Sequence, residues 1–182
     1  TRQVSSAASD VYKRQVSLEA ITVEEMIDEA TRANIAGADY VEVRFDKLYL
    51  NKPEPITMVN DDGEEYSKMP PIEEWGVKDF EEIDVEQAIA NLKEGIPVPV
   101  VFTARAVREG GFFAGTEQER LQILEQGIKS EVSFVDLELS IEKKSRDKLV
   151  KLASSSNCQV IASIHETKAT PSAEEIVTMV KD

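Results

Sequence analysis

The feature that most constrains this chain is an alternation of short β-branched runs with stretches in which apolar residues recur at helical spacing. The first such helical stretch begins at a capping residue, Thr22, and ends at Gly37. This alternation is typical of βα units around a parallel sheet. It predicts strands over residues 16–18, 40–45, 98–104, 133–139 and 159–164, and further helices over residues 84–92, 116–128, 144–153 and 172–180.

Composition limits what such a chain can do. The 182 residues include 21 basic and 35 acidic ones, a net charge of −14, so the chain offers no basic field for a nucleic acid. The single cysteine, Cys158, excludes an internal disulfide, and the single histidine, His165, excludes a His-rich metal site. No apolar run is long enough to span a bilayer, and the start lacks a signal-peptide pattern. We therefore expect a soluble, cytoplasmic protein of one domain, or part of one, without nucleic-acid or membrane partners.

Two segments fall outside the βα pattern. Residues 1–15 have neither helical nor strand period, and residues 5–15 can be back-translated into a sequencing-library adapter, which predicts that 1–15 are non-native and that 16–182 form the domain. Residues 47–83 are predicted to be an acidic loop or insertion, in part disordered, because 54–82 hold ten acidic and two basic residues among several prolines.

Polar side chains share one face near the carboxyl ends of four successive predicted strands. Each signal alone is more often structural: an ion pair, a hydrogen-bonded histidine, or a turn at Glu109-Gly110-Gly111. Their joint occurrence favours a polar site at the C-terminal mouth of a (β/α)₈ barrel, where parallel strand ends converge. The residues are Glu42 and Arg44, Thr103 and Arg105, Asp136 and Glu138, and Ser163 and His165.

These residues bring the sequence close to one family, the type I 3-dehydroquinate dehydratases. Residues 37–46, with Glu42, Arg44 and Asp46, resemble the second strand of that family. Residues 102–111 are similar to the third strand and its loop, and residues 136–139 followed by 160–165 resemble the family signature. One departure is Glu166, which stands where the family has an aspartate or asparagine.

The resemblance implies a partial (β/α)₈ barrel of about the first five βα units and a dehydration of 3-dehydroquinate to 3-dehydroshikimate through a lysine Schiff base. It implies no metal or organic cofactor and a homodimeric parent protein. By resemblance, His165 is the acid–base catalyst, Glu109 orients it, and Glu42, Arg44 and Arg105 hold the substrate.

The imine-forming lysine of the family lies on its sixth strand, so the resemblance places it beyond residue 182, and we expect the chain alone to be inactive. Lys168 and Lys181 are poor replacements, because one is predicted in the loop after the histidine strand and the other in the last helix.

Two other functions remain open. A non-enzymatic regulatory domain could derive from the same fold, although retention of His165, Glu109 and Arg105 argues against it. A metal-dependent barrel lyase or epimerase could use His165, Asp136 and Glu138, and a metal titration would separate it from the dehydratase.

Overall fold

The computed structural model describes residues 13–166 and 169–181 as nine strands and five α-helices. The strands are β1 (Gln15–Ser17), β2 (Tyr40–Arg44), β3 (Leu50–Asn51), β4 (Ile56–Val59), β5 (Glu65–Lys68), β6 (Gly76–Val77), β7 (Val100–Thr103), β8 (Phe134–Glu138) and β9 (Gln159–Ser163). The helices are α1 (Val23–Ile35), α2 (Val85–Gly95), α3 (Glu117–Lys129), α4 (Lys143–Ser155) and α5 (Ala173–Lys181).

Five of the strands form one parallel sheet whose spatial order, β1-β2-β7-β8-β9, is their order along the chain. A helix separates each of these strands from the next, as in successive βα units of a barrel. Within the described residues the sheet is open, with β1 and β9 at its edges. This arrangement confirms the predicted α/β fold and the partial (β/α)₈ barrel of five units.

Local caps fix where the helices begin. The side chain of Thr22 accepts a hydrogen bond from the backbone N–H of Glu25 at 3.2 Å and starts α1. At α3 the bond is reciprocal, because Glu119 also accepts from the backbone N–H of Thr116. Asp84 caps α2 in the same way. These helices therefore start within a residue of their predicted positions.

The core lies between the sheet and α1 to α4. Gly127 of α3 lets the helix approach the sheet closely, since a Cβ atom there would lie 2.7 Å from the ring of Phe102 in β7. The buried apolar residues of this layer include Met26, Ala30, Val41, Val43, Ile89, Leu92, Ile123, Leu124, Val135, Leu137, Leu149 and Ala153.

The acidic segment contains secondary structure that its sequence does not predict. It begins with a 3₁₀ helix, Phe45–Tyr49, whose residues are all buried, and continues with an antiparallel β3–β6 pair and a β4–β5 hairpin. The side-chain oxygen of Asn60 accepts from two backbone N–H groups in the hairpin turn, and Gly63 supplies its left-handed backbone. Both strands of the hairpin are exposed on both faces, so they carry no alternating apolar pattern to detect.

The start of the described chain joins the sheet. β1 begins at Gln15, and the backbone N–H of Arg14 donates to Asp39 at 2.7 Å. The non-native assignment of residues 1–15 stays a prediction, and residues 1–12 lie outside the described residues. No helix found in ranges 13–166 and 169–181 has the length and apolar character needed to cross a membrane.

Candidate active site

An arginine links the polar ends of three neighbouring strands. Arg105, which follows β7, directs Nη2 to Glu42 Oε1 at 3.4 Å and to Asp136 Oδ2 at 3.2 Å. Glu42 also accepts from the Thr103 hydroxyl at 2.9 Å. All four side chains are largely buried, so the two carboxylates share a positive charge away from bulk water. The sheet thus brings Glu42 and Arg105 together, as the sequence predicts.

A second group joins the histidine to a buried carboxylate. His165 Nδ1 lies 3.0 Å from Glu109 Oε2, and the Ser140 hydroxyl donates to the other oxygen, Oε1. Glu109 ends a 3₁₀ turn that Gly110 closes with a left-handed φ of 75°. Gly111 follows, where a Cβ atom would lie 2.2 Å from the carbonyl oxygen of Arg105. The two glycines are therefore needed to bring Glu109 back over the sheet.

The contact between Glu109 and His165 assigns roles to the two ring nitrogens. An ionised carboxylate only accepts hydrogen bonds, so it selects the imidazole tautomer that carries its proton on Nδ1. Nε2 then holds a lone pair and is free to take a proton. A histidine held in this way can act as a general base, with the carboxylate orienting its ring.

Glu138 and a buried arginine lie next to this pair. Arg120 of α3 contacts Glu138 Oε2, donates to the carbonyl of Ala104 at 3.0 Å and binds Glu117 at 2.7 Å. Burial raises the pKa of the Glu138 carboxyl above its ordinary value, and the contact with Arg120 only partly opposes that rise. The negative charges of Glu109 and Asp136 raise it further.

Several buried polar atoms at the strand ends have no hydrogen-bond partner within the described part of the chain. Such atoms are costly in an apolar core, so their clustering at one edge of the sheet indicates a place for a polar ligand or side chain. They are Arg105 Nε, Asp136 Oδ1, Glu138 Oε1 and Ser163 Oγ.

Arg44 does not join the Arg105-linked group and pairs instead with an aspartate two residues along the chain. Its guanidinium forms a two-point ion pair with Asp46, at 3.0 and 2.7 Å, in a buried environment. Asp46 also accepts from the backbone N–H of Phe112 at 3.0 Å, which ties β2 to the loop after Glu109. Sequence reasoning missed this pairing, although the two-residue spacing of Arg44 and Asp46 was visible.

The charged groups also contain one arrangement that fits a metal ion. One ligand atom each from Glu109, Glu138 and His165 lie within 4.8 Å of one another. The metal-site hypothesis from the sequence used His165, Asp136 and Glu138. In the structure Glu109 takes the place of Asp136 in that set. The guanidinium of Arg120 on Glu138 opposes a second positive charge there.

Comparison with known proteins places the chain in a family. The sequence model described as type I 3-dehydroquinase matches residues 15–182. Among curated proteins, the 3-dehydroquinate dehydratase of Methanosarcina barkeri is 26 % identical over 172 residues, which are 93 % of this chain and 59 % of that protein. The enzyme of the same name from Methanosarcina acetivorans is 28 % identical over 166 residues, 90 % of this chain and 57 % of that protein.

A solved structure shows the same fold. The 3-dehydroquinate dehydratase of Enterococcus faecalis superposes with a TM-score of 0.67 at 24 % identity, over 91 % of this chain and 58 % of that one. The chain therefore spans somewhat more than half the length of the relatives it matches. Since the family model matches residues 15–182, this chain belongs to the type I 3-dehydroquinase family.

Proposed function

We propose that the protein containing this chain dehydrates 3-dehydroquinate to 3-dehydroshikimate in the shikimate pathway. The observation that carries the proposal is the His165–Glu109 contact at 3.0 Å. This contact and the Arg105-linked carboxylates both lie at the carboxyl ends of the parallel strands, which supports a shared site for a base and for groups that bind hydroxyls. The names of its relatives support this reaction.

In the proposed mechanism a lysine forms a Schiff base with the substrate ketone and releases water. His165 Nε2 removes the proton from the adjacent carbon, and the iminium accepts the electron pair. The protonated imidazole then helps the hydroxyl leave as water, and hydrolysis of the imine frees the product. Glu109 holds the ring, while Glu42, Arg44 and Arg105 bind substrate oxygens and fix its orientation.

We infer that the imine-forming lysine is supplied by chain outside residues 1–182. By family resemblance it lies on a sixth strand, which would pair with β9. Within the described residues, Ser163 Oγ on β9 and Asp136 Oδ1 and Glu138 Oε1 on β8 have no hydrogen-bond partner, which supports a cationic side chain near that edge. Lys168 lies outside the described residues.

The test uses the full-length protein. Formation of 3-dehydroshikimate is followed by its ultraviolet absorbance, and borohydride reduction in the presence of substrate is followed by mass spectrometry. Turnover together with a substrate-derived mass on one lysine supports the proposal. Absence of turnover by a folded protein contradicts it and favours the regulatory domain. The 182-residue chain assayed in parallel should give neither product nor adduct.

A metal-dependent lyase is the second candidate, favoured by the cluster of Glu109, Glu138 and His165. It predicts that a chelator abolishes turnover and that a divalent metal restores it. The Schiff-base mechanism predicts that a chelator leaves turnover unchanged.

A further inference from the structure

The carboxylate beside the histidine has a second partner that the proposed reaction does not use. Glu109 Oε2 faces His165, whereas Oε1 accepts from the hydroxyl of Ser140. Ser140 lies directly after β8, and Glu109 lies in the loop after β7. The two ends of one carboxylate are therefore held by residues from two other strand ends.

The turn that carries Ser140 is itself fixed. The backbone N–H of Leu139 donates to the carbonyl of Ser163 in β9 at 2.8 Å, and Arg146 of α4 donates to the carbonyl of Leu139 at 2.5 Å. Ile141, on the other side of Ser140, is buried, and its N–H donates to the carbonyl of Glu138 at 3.1 Å. The contacts of Leu139 and Ile141, the residues before and after Ser140, therefore fix the position of the Ser140 hydroxyl.

A carboxylate with one hydrogen bond rotates easily, because the terminal torsion of glutamate has broad energy wells. A second bond to the other oxygen fixes its plane. Which imidazole nitrogen carries the proton is set by the partner of the other nitrogen. The orientation of Glu109 therefore decides whether Nε2 of His165 keeps its lone pair toward the substrate.

We propose that Ser140 is a positioning residue for His165, acting through Glu109. Its hydroxyl holds the carboxylate so that Oε2 accepts from Nδ1–H and leaves Nε2 as the base. The catalytic meaning of this assignment rests on the proposed dehydration, but the contact itself does not.

The sole histidine of the chain makes the proposal measurable without substrate. In a long-range ¹H–¹⁵N spectrum of the 182-residue chain at about pH 8, where imidazole is ordinarily neutral, every imidazole signal belongs to His165. We expect the shifts of the Nδ1-protonated tautomer. Ser140→Ala should lose that signature and give a mixture of tautomers, whereas Ser140→Thr, which keeps a hydroxyl, should retain it.

The control is Ser154→Ala, which removes another exposed serine hydroxyl, one bonded to the carbonyl of Val150 within α4. It should leave the ring shifts unchanged. A native tautomer protonated on Nε2, or Ser140→Ala shifts equal to native ones, would overturn the proposal. If circular dichroism shows Ser140→Ala to be unfolded, Ser140→Cys, a weaker donor of similar size, is measured and should show the same loss.

A kinetic measurement on the full-length protein separates this proposal from the proposed function. Ser140→Ala should lower kcat more than it changes KM, and Ser140→Thr should restore kcat. If the native protein does not dehydrate 3-dehydroquinate, the proposed function fails while the tautomer result still decides the role of Ser140 toward the ring.

Discussion

Arg120 contacts two glutamates whose pKa values shift in opposite directions. It is fully buried and contacts both Glu138, which is also buried, and Glu117, which reaches solvent. For Glu117, burial alone would raise the pKa, but hydrogen bonds from Arg120 and Arg108 outweigh it and bring the pKa below its ordinary value. For Glu138, burial prevails and the pKa is raised.

These opposite directions predict opposite pH dependence of stability. The native state holds the proton of Glu138 more tightly than the unfolded chain does, so this group stabilises the fold below about pH 4.3 and loses that contribution as pH rises through the native pKa. The unfolding free energy of the native chain, minus that of Glu138→Gln, should therefore fall as pH rises above about 4.3. Urea denaturation at several pH values measures it.

Glu117→Gln is the matched control, because it removes the other carboxylate on Arg120. The lowered pKa of Glu117 means that its contribution is present above about pH 4.3 and is lost as pH falls through the native pKa. The corresponding free-energy difference should rise with pH. Equal signs for the two variants would contradict the assigned environments.

His165→Ala tests the acid–base role in the full-length protein. Losing a positioned acid–base group should lower kcat for dehydration by a factor on the order of 10²–10⁴. In the proposed mechanism imine formation requires the lysine rather than this ring, so borohydride should still trap some substrate. A variant with undiminished kcat would refute the role, and Ser154→Ala, remote from the strand ends, serves as the activity control.

At the scale of elements, the contact of α3 with β7 depends on a glycine. Gly127→Ala gains about 1 kcal/mol in helix propensity, but its Cβ atom would lie 2.7 Å from the Phe102 ring. Overpacking of this kind costs about 1–3 kcal/mol, so we expect a net destabilisation of roughly 1 kcal/mol in urea unfolding.

Two further variants test whether the destabilisation by Gly127→Ala comes from the contact with Phe102. Gly76→Ala, where a Cβ atom meets only Asn51 at 3.5 Å, should change stability by less than about 0.5 kcal/mol. Phe102→Leu should remove most of the penalty at Gly127 in a double-mutant cycle. If Gly127→Ala is as stable as the native chain, the close approach of helix and sheet is wrong.

The five helices were predictable to within about three residues at either end, because their starts depend on local hydrogen bonds. Thr22, Asp84 and Thr116 each bond a backbone N–H three residues along the chain, which the sequence displays directly. The small ladders formed by β3 to β6 were not predictable, since their stability depends on turn geometry and not on an apolar face.

The candidate site was predictable in part for a related reason. Strand alternation puts Glu42, Arg105 and Asp136 on a common edge, and the structure brings them into contact. The partners of other groups depend on tertiary packing. A helical Arg120 reads as a surface residue, and Ser140 as a turn residue, until the fold places them on Glu138 and Glu109.

At the scale of the whole molecule, the last strand and the last helix among the described residues expose apolar side chains. β9, the residue after it and α5 carry apolar side chains that are between 36 and 51 % exposed: Val160, Ile161, Ile164, Ile176 and Val177. Because β9 is also an edge strand among the described residues, it offers both unpaired backbone groups and apolar area to a neighbour.

We therefore expect the 182-residue chain to self-associate, and Ile161→Lys to weaken that association several-fold. Sedimentation at increasing concentration measures it. The control is Ile35→Lys, which charges an apolar residue that is 81 % exposed at the end of α1, far along the chain from β9. A monodisperse native monomer with strongly protected amides in β9 would contradict the expectation. Homodimerisation of the full-length protein stays a separate prediction.

The order of the parallel strands has a consequence for synthesis on the ribosome. Each strand of the large sheet after β1 pairs with the strand of that sheet made before it, so the partner of every strand is already synthesised when that strand emerges. Glu109 is synthesised 56 residues before its histidine, and Ser140 also precedes it, but the turn of Ser140 gains its bond to Ser163 only when β9 is made. Within the described residues, the contact of Glu109 with His165 therefore forms only after β9 is made, and a nascent chain that stalls before β9 carries the carboxylates of this edge without the histidine.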